Sequence, residues 1–322
     1  MNRNNLILLI VLLVLAGIGI WFWQKQSKTS SASWDREFAI KDTKSIHKIF
    51  IASRSGESNT IEKKGNQWML NGKYVAYTPS VNLLIQTMGA LRLQYIPSNN
   101  AVKNIVNDLA TNGLKVEVYD QSNRLLKTYY VGGSPNDEIG TYMIMDKAQQ
   151  PYVMTLPAFE GNLRERFDLS RDDWRDPIIF VEKADNIRFV SINYPTERTK
   201  SFQLSREGED FSITPYYNSV QPIRKPIKRQ AVETFLDSFG KIKGDGFSNV
   251  FYARDSVSAV QPFCIATVVT QQDDTLRANF IVRGRERMID SYWVTTQQGD
   301  LLTAQQQVIS KIFWAYDAFF EK

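Results

Sequence analysis

The stretch Ile61-Glu62-Lys63-Lys64-Gly65-Asn66-Gln67-Trp68-Met69-Leu70 decides the fold, because it occurs twice. Its counterpart, Leu204-Ser205-Arg206-Glu207-Gly208-Glu209-Asp210-Phe211-Ser212-Ile213, lies at an offset of 143 residues. Both read as strands folded back on themselves at a glycine, with an aromatic residue opening the return strand. Working outward, the alternating positions Ile46, Ile49 and Ile51 recur as Ile187, Val190 and Ile192, and Trp34-Asp35-Arg36 recurs in kind as Trp174-Arg175-Asp176. Val81, Leu84, Ile85, Met88 and Leu91 form a helical stripe whose spacing returns in Val232, Phe235, Leu236, Phe239 and Ile242. Thr78-Pro79 is placed to cap and start the first of these helices.

Downstream, Leu114 to Tyr119 and Leu125 to Val131 predict a hairpin, matched by Phe263 to Val269 and Leu276 to Val282, and each closes on a glycine, Gly133 or Gly284. A third strand at Thr141 to Met145 is echoed at Ser291 to Thr295, and a closing helix around Leu163 is echoed around Phe313. On this alignment Trp68 falls on Phe211 and Gly133 on Gly284. An additional stripe, Val102, Ile105, Val106 and Leu109, is inserted in the first copy. The expected architecture is α+β: two tandem duplicated units of antiparallel sheet with packed helices, at 34–173 and 174–322.

Ahead of both units, Leu6 to Trp23 runs eighteen residues without a charge or an amide. At about 1.5 Å per helical residue that nearly crosses a bilayer core. Trp21, Phe22 and Trp23 at its end suit a membrane interface better than a cleavage site, so residues 1–23 are expected to stay attached as an N-terminal transmembrane anchor. Residues 24–33 are expected to be a polar linker. Arg3 faces Lys25 and Lys28 across the apolar run, a nearly even balance, and the expected orientation leaves the body outside the cytoplasm.

The chain carries a formal net charge of +5 with 39 basic and 34 acidic residues, which gives no ground for a nucleic-acid partner. At 43% hydrophobic and 12% aromatic it is expected to fold with full cores. Its single cysteine, Cys264, lies in an apolar run and permits no internal disulfide.

Gly65 with Trp68 and Asn71-Gly72, the run Tyr130-Val131-Gly132-Gly133 leading to Gly140-Thr141-Tyr142-Met143, and Trp174-Arg175-Asp176 together resemble the domain of unknown function 4340 family. The resemblance covers nearly the whole chain, most specifically Lys44 to Phe180. It implies a bacterial protein of the cytoplasmic membrane with one N-terminal helix, often encoded near components of gliding-motility-type ABC transporters, and it implies no activity.

Catalytic chemistry finds little support. The only histidine, His47, sits between lysines at a strand position, where any Ser/His/Asp or Cys/His arrangement would have to use it. Asp172, Asp173 and Asp176 lie among Arg164, Arg166, Arg171 and Arg175, a pattern of local charge pairing rather than a metal or carboxylate site. No catalytic residue, cofactor ligand or metal ligand is therefore assigned. Arg224 to Arg229 holds four positive charges and reads as the approach to the second helical stripe.

The segment from Val131 to Gly140 is glycine-rich but is followed by a strand, not by the helix that a phosphate cradle needs. Its divergence from the matching link in the second copy makes Gly132, Gly133, Asn136, Asp137, Glu138 and Gly140 the candidate partner-binding loop. The expected function is a non-catalytic, membrane-tethered envelope protein, a scaffold or accessory subunit of an ABC-transporter-type complex. The alternative is an extracytoplasmic solute-binding module or a carboxylate-dependent hydrolase.

Overall fold

In a computed structural model of the chain, which describes residues 34–284 and 290–321, the polypeptide divides into two compact units, Met1–Trp174 and Arg175–Lys322. Both are α+β and built on antiparallel sheets. The segment Leu6 to Trp23 and its linker lie outside the described residues. Among the described residues no helix is long and apolar enough to cross a membrane.

The first unit contains β1 (Lys48–Ala52), β2 (Ser58–Lys64), β3 (Gln67–Leu70), β4 (Tyr74–Val75), helix α1 (Thr78–Ala90), β5 (Arg92–Tyr95), helix α2 (Asn99–Asn112), β6 (Leu114–Tyr119), β7 (Leu125–Val131), β8 (Thr141–Met145) and β9 (Tyr152–Thr155). Its nine strands form one sheet in the order β4-β3-β2-β1-β6-β7-β8-β9-β5. Alternation puts Ile49, Ile51, Val116, Val118 and Tyr129 on one face, where Val81, Leu84 and Met88 of α1 complete the core. Ile105 and Leu109 of α2 pack with Ile144 in a smaller cluster that also takes Tyr130 and Tyr142 from the opposite face. Trp174 is fully buried in the larger core, and its carbonyl accepts the Tyr77 N–H at 2.8 Å.

The second unit contains β10 (Ile178–Phe180), β11 (Ile187–Asn193), β12 (Phe202–Glu207), β13 (Asp210–Pro215), helix α3 (Arg229–Asp237), β14 (Ile242–Lys243), β15 (Gly246–Phe247), helix α4 (Arg254–Ser258), β16 (Cys264–Thr270), β17 (Thr275–Arg283), β18 (Ser291–Thr296), β19 (Leu301–Gln305) and helix α5 (Gln306–Ile309). Its eight-stranded sheet runs β13-β12-β11-β16-β17-β18-β19-β15, and β10 pairs separately with β14. Strand for strand this is the order of the first sheet without β4. Its core is richer in aromatics, with Phe235 edge-on to Phe202, Phe239 and Phe319.

The registers of the two sheets can be carried across from partner to partner. Lys63 pairs with Trp68 as Arg206 pairs with Phe211, which places Trp68 and Phe211 at the same position. Gly65 and Gly208 occupy the same turn at φ 58° and 64°, a conformation that a glycine adopts without strain. Farther along, Val131 pairs with Met143, whereas Phe280 pairs with Val294. Thr141 therefore corresponds to Tyr292, and Gly133 corresponds to Val282 rather than to Gly284. The sheet register thus differs from the motif alignment by one residue at the third strand and by two at the glycine. Since a one-residue slip exchanges the faces of a strand, Tyr142 packs against the α2 side while Tyr292 lies in the main core.

Other local expectations change as well. Thr78 is inside α1 and makes no capping bond, and Pro79 occupies its first turn. The expected closing helix around Leu163 is a single 3-10 turn, Arg164–Arg166. Around Phe313 the chain makes α5 and the 3-10 turn Ser310–Ile312, which ends just before that residue. Phe239, counted in the second helical stripe, lies past the end of α3 in a 3-10 turn.

Candidate functional site

Two strands anchor the candidate loop between β7 and β8, and its stems are locked by packing. The Gly132 N–H donates to the Tyr142 carbonyl at 2.8 Å, and the Tyr142 N–H donates to the Gly133 carbonyl at 2.9 Å. A Cβ on Gly132 would come within 2.8 Å of the Leu109 side chain in α2. Gly140 has φ 93°, and a Cβ there would meet the Met154 carbonyl oxygen at 2.5 Å. Next to it the buried Thr141 hydroxyl donates to Asn162 Oδ1 at 3.1 Å and accepts the Leu163 N–H at 2.7 Å. Arg164 adds a clasp by donating to the Asn112 carbonyl at 2.9 Å and the Asp168 carboxylate at 2.8 Å.

Gly132 and Gly140 thus serve the backbone. Only Asn136, Asp137 and Glu138 form an exposed tip, turned by the 3.0 Å bond from the Glu138 N–H to the Pro135 carbonyl. Asp137 Oδ1 accepts the Ile139 N–H at 3.1 Å, and Oδ2 accepts the Tyr95 hydroxyl at 3.3 Å. Burial, and then the neighbouring Asp137 charge, hold both the Tyr95 and the Tyr142 phenols above their usual range.

Tyr95 belongs to β5, the outermost strand of its sheet, all four of whose residues are exposed. Beside β5 opens a cleft of about 690 Å³ whose lining includes Leu93, Ile139, Leu156 and Phe159 and the charged Arg92 and Glu160. Gln94, Thr155 and Ala158 complete its lining. Sequence reading reached the loop but missed this cleft. β5 is only four residues long and follows directly on α1, so its Leu93/Tyr95 alternation is too brief to distinguish from the end of the helical stripe.

His47 Nδ1 lies 3.1 Å from the Ser45 carbonyl. Among the described residues no three His, Cys, Asp or Glu side chains are grouped to hold a metal ion. Local pairing covers only part of the acidic cluster: Asp172 lies 3.9 Å from Arg171, and Asp173 accepts from the Ser170 hydroxyl at 2.7 Å. Asp176 instead pairs with Lys243 at 2.6 Å, and Arg175 grips Asp300 with both terminal nitrogens, at 3.0 and 2.6 Å. Folding, not sequence proximity, brings those partners together.

The segment between β15 and β16 takes the place that α2 holds in the first unit, but with only the short helix α4. Phe251 stacks on Trp293 at 5.0 Å, and the Arg283 guanidinium lies over the same indole at 4.7 Å. Val250 and Tyr252 are left 97% and 94% exposed.

The sequence profile of the domain of unknown function DUF4340 matches residues 68–258, more than half of the chain. The protein belongs to this family. The matched span runs from β3 in the first unit to the end of α4 in the second. It includes the β7–β8 loop and Trp174-Arg175-Asp176. No curated protein and no solved structure matches the chain.

Proposed function

We propose that this DUF4340 protein is a non-catalytic binding subunit, tethered by Leu6 to Trp23 to a bacterial cytoplasmic membrane with its body outside the cytoplasm. In this reading its two units are tandem copies, and it serves as a scaffold or accessory component of an ABC-transporter-type complex. One observation carries the binding role. The exposed Asn136-Asp137-Glu138 tip stands on stems fixed by Gly132, Gly140 and the Thr141–Asn162–Leu163 bonds. Side chains on a rigid stem reach a partner without a large ordering cost. The apolar N-terminal run supports the tether, and the corresponding strand orders support the duplication.

The test compares wild type with the combined variant Asn136→Ala, Asp137→Ala, Glu138→Ala. After mild detergent extraction, the wild-type chain is expected to co-purify with a membrane permease and its ATPase, and the variant to lose them. The melting temperature should shift little, because only exposed bonds are removed. Equal capture by the variant would sink the role of the loop. Protease added to intact spheroplasts should digest the body, and complete protection would overturn the orientation.

A further inference from the structure

We propose that the cleft beside β5 binds a small zwitterion with an apolar side chain, either an apolar amino acid or a dipeptide of such residues. The inference goes beyond the tethered-scaffold reading, since it requires neither the anchor nor a protein partner. Its volume of about 690 Å³ falls within the roughly 300–1,000 Å³ usual for small-molecule sites.

The lining has three parts that such a ligand would match. Leu93, Ile139, Leu156 and Phe159 contribute apolar side chains to the lining, and Arg92 and Glu160 contribute opposite charges. Among the described residues neither charge forms an ion pair or a hydrogen bond, with the other or with any third group. The guanidinium can therefore take a carboxylate through two parallel N–H bonds, and the carboxylate can accept an ammonium. A ligand carrying only one sign would leave the other charged group unused.

The lining is also held in place before any ligand arrives. The Phe159 ring lies under the Arg166 guanidinium at 4.4 Å, and Arg166 in turn donates to the Thr87 hydroxyl at 3.0 Å. The Phe159 carbonyl accepts the Thr155 hydroxyl at 3.1 Å. Asp137 fixes the backbone at Ile139. Such prior ordering lowers the cost of binding.

The second unit provides an internal comparison. Carrying the strand registers across takes Ile139 to Asp290, Thr155 to Gln305 and Leu156 to Gln306. These three residues line a cleft of about 620 Å³ whose remaining described lining is Ser291, Gln307 and Ser310. Three corresponding positions thus line a hollow in each unit. Of these two hollows only the first counts Leu, Ile and Phe residues together with a cation and an anion in its lining, so the specificity comes from side chains and not from the shape of the fold.

The test is calorimetric titration of the full-length chain, in nonionic detergent, with L-leucine and with L-leucyl-L-leucine. Saturable binding of either supports the proposal, and which of the two binds identifies the source. Arg92→Gln should weaken binding by about tenfold or more, and C-terminal amidation of the ligand should do the same. The amidated ligand should then lose no more than about twofold on Arg92→Gln, because the partner of that arginine is already gone. Glu160→Gln and N-acetylation should form the matching pair. Asp290→Asn, in the second unit, should leave binding unchanged. Absence of saturable binding by both probes would overturn the proposal. So would equal binding of a doubly blocked ligand, or sensitivity to Asp290→Asn in place of Arg92→Gln.

Discussion

Replacing Asp300 with asparagine should be among the most damaging single substitutions in the second unit. Arg175 is only 8% exposed, its guanidinium is 4.0 Å from the centre of the Phe247 ring, and both its terminal nitrogens end on Asp300. Asn249 donates to the same carboxylate at 2.9 Å and accepts the Leu301 N–H at 2.8 Å, which fixes the start of β19. Asp300→Asn keeps the shape but removes the charge that strengthens both bonds from the buried Arg175 guanidinium, at a cost of about 2–3 kcal/mol. For a unit of this size that corresponds to a fall in melting temperature of roughly 10 °C. Replacing both partners, Arg175→Met with Asp300→Leu, removes the two charges together and should restore part of the loss.

The same pair has a pH signature. Burial pushes the Asp300 carboxyl up, but the Arg175 and Asn249 hydrogen bonds and the Arg175 and Arg254 charges outweigh it, and the group lies below its usual range. A depressed folded value means that the stabilisation is present above the unfolded carboxylate pKa of about 3.9. It is lost as pH falls through the lower folded value. Thermal unfolding followed by circular dichroism, at neutral pH and on acidification, measures both effects. A loss below about 1 kcal/mol for Asp300→Asn would place the pair with ordinary surface ion pairs and refute the reasoning.

Three further outcomes are expected. Gly140→Ala should cost about 2–3 kcal/mol in urea unfolding, because φ 93° and the Met154 carbonyl both oppose a side chain. Gly133→Ala, with open space around it, should stay within about 0.5 kcal/mol, and equal effects at the two sites would contradict this division of the loop glycines. Thr141→Val should lower stability by about 1–3 kcal/mol, since it strips a buried partner from the Leu163 N–H. Hydrogen exchange at Leu163 should rise with it. Burial pushes the Cys264 thiol well above its usual range, so a disulfide reagent at pH 8 should label it only after unfolding. Rapid labelling of the native chain would show that its strand opens readily.

Sequence reading reached farthest where a structural rule is local. The hairpins of β2–β3 and β12–β13, the strands β6–β7 and β16–β17, and the helix α1 all lie where alternation, turn glycines or a 3.6-residue stripe placed them. Each signal spans only a few residues, and the hairpin turns set their own register, which is why Trp68 and Phe211 correspond. The candidate loop was legible for the same reason, as a glycine-rich break between two strand patterns.

What tertiary structure decided depends on neighbours distant in sequence. Gly133 and Gly284 look alike along the chain, yet the pairing with β8 and β18 gives them different positions. Nothing near Arg175 points to Asp300, 125 residues away. The β5 cleft brings together residues from β5, the β7–β8 loop and the chain after β9, and each contributes too few residues to carry a pattern of its own. Local propensities thus determined the strands, turns and helices of this protein. The meeting of strand edges, set by packing of the whole sheet, decided which side chains share a site.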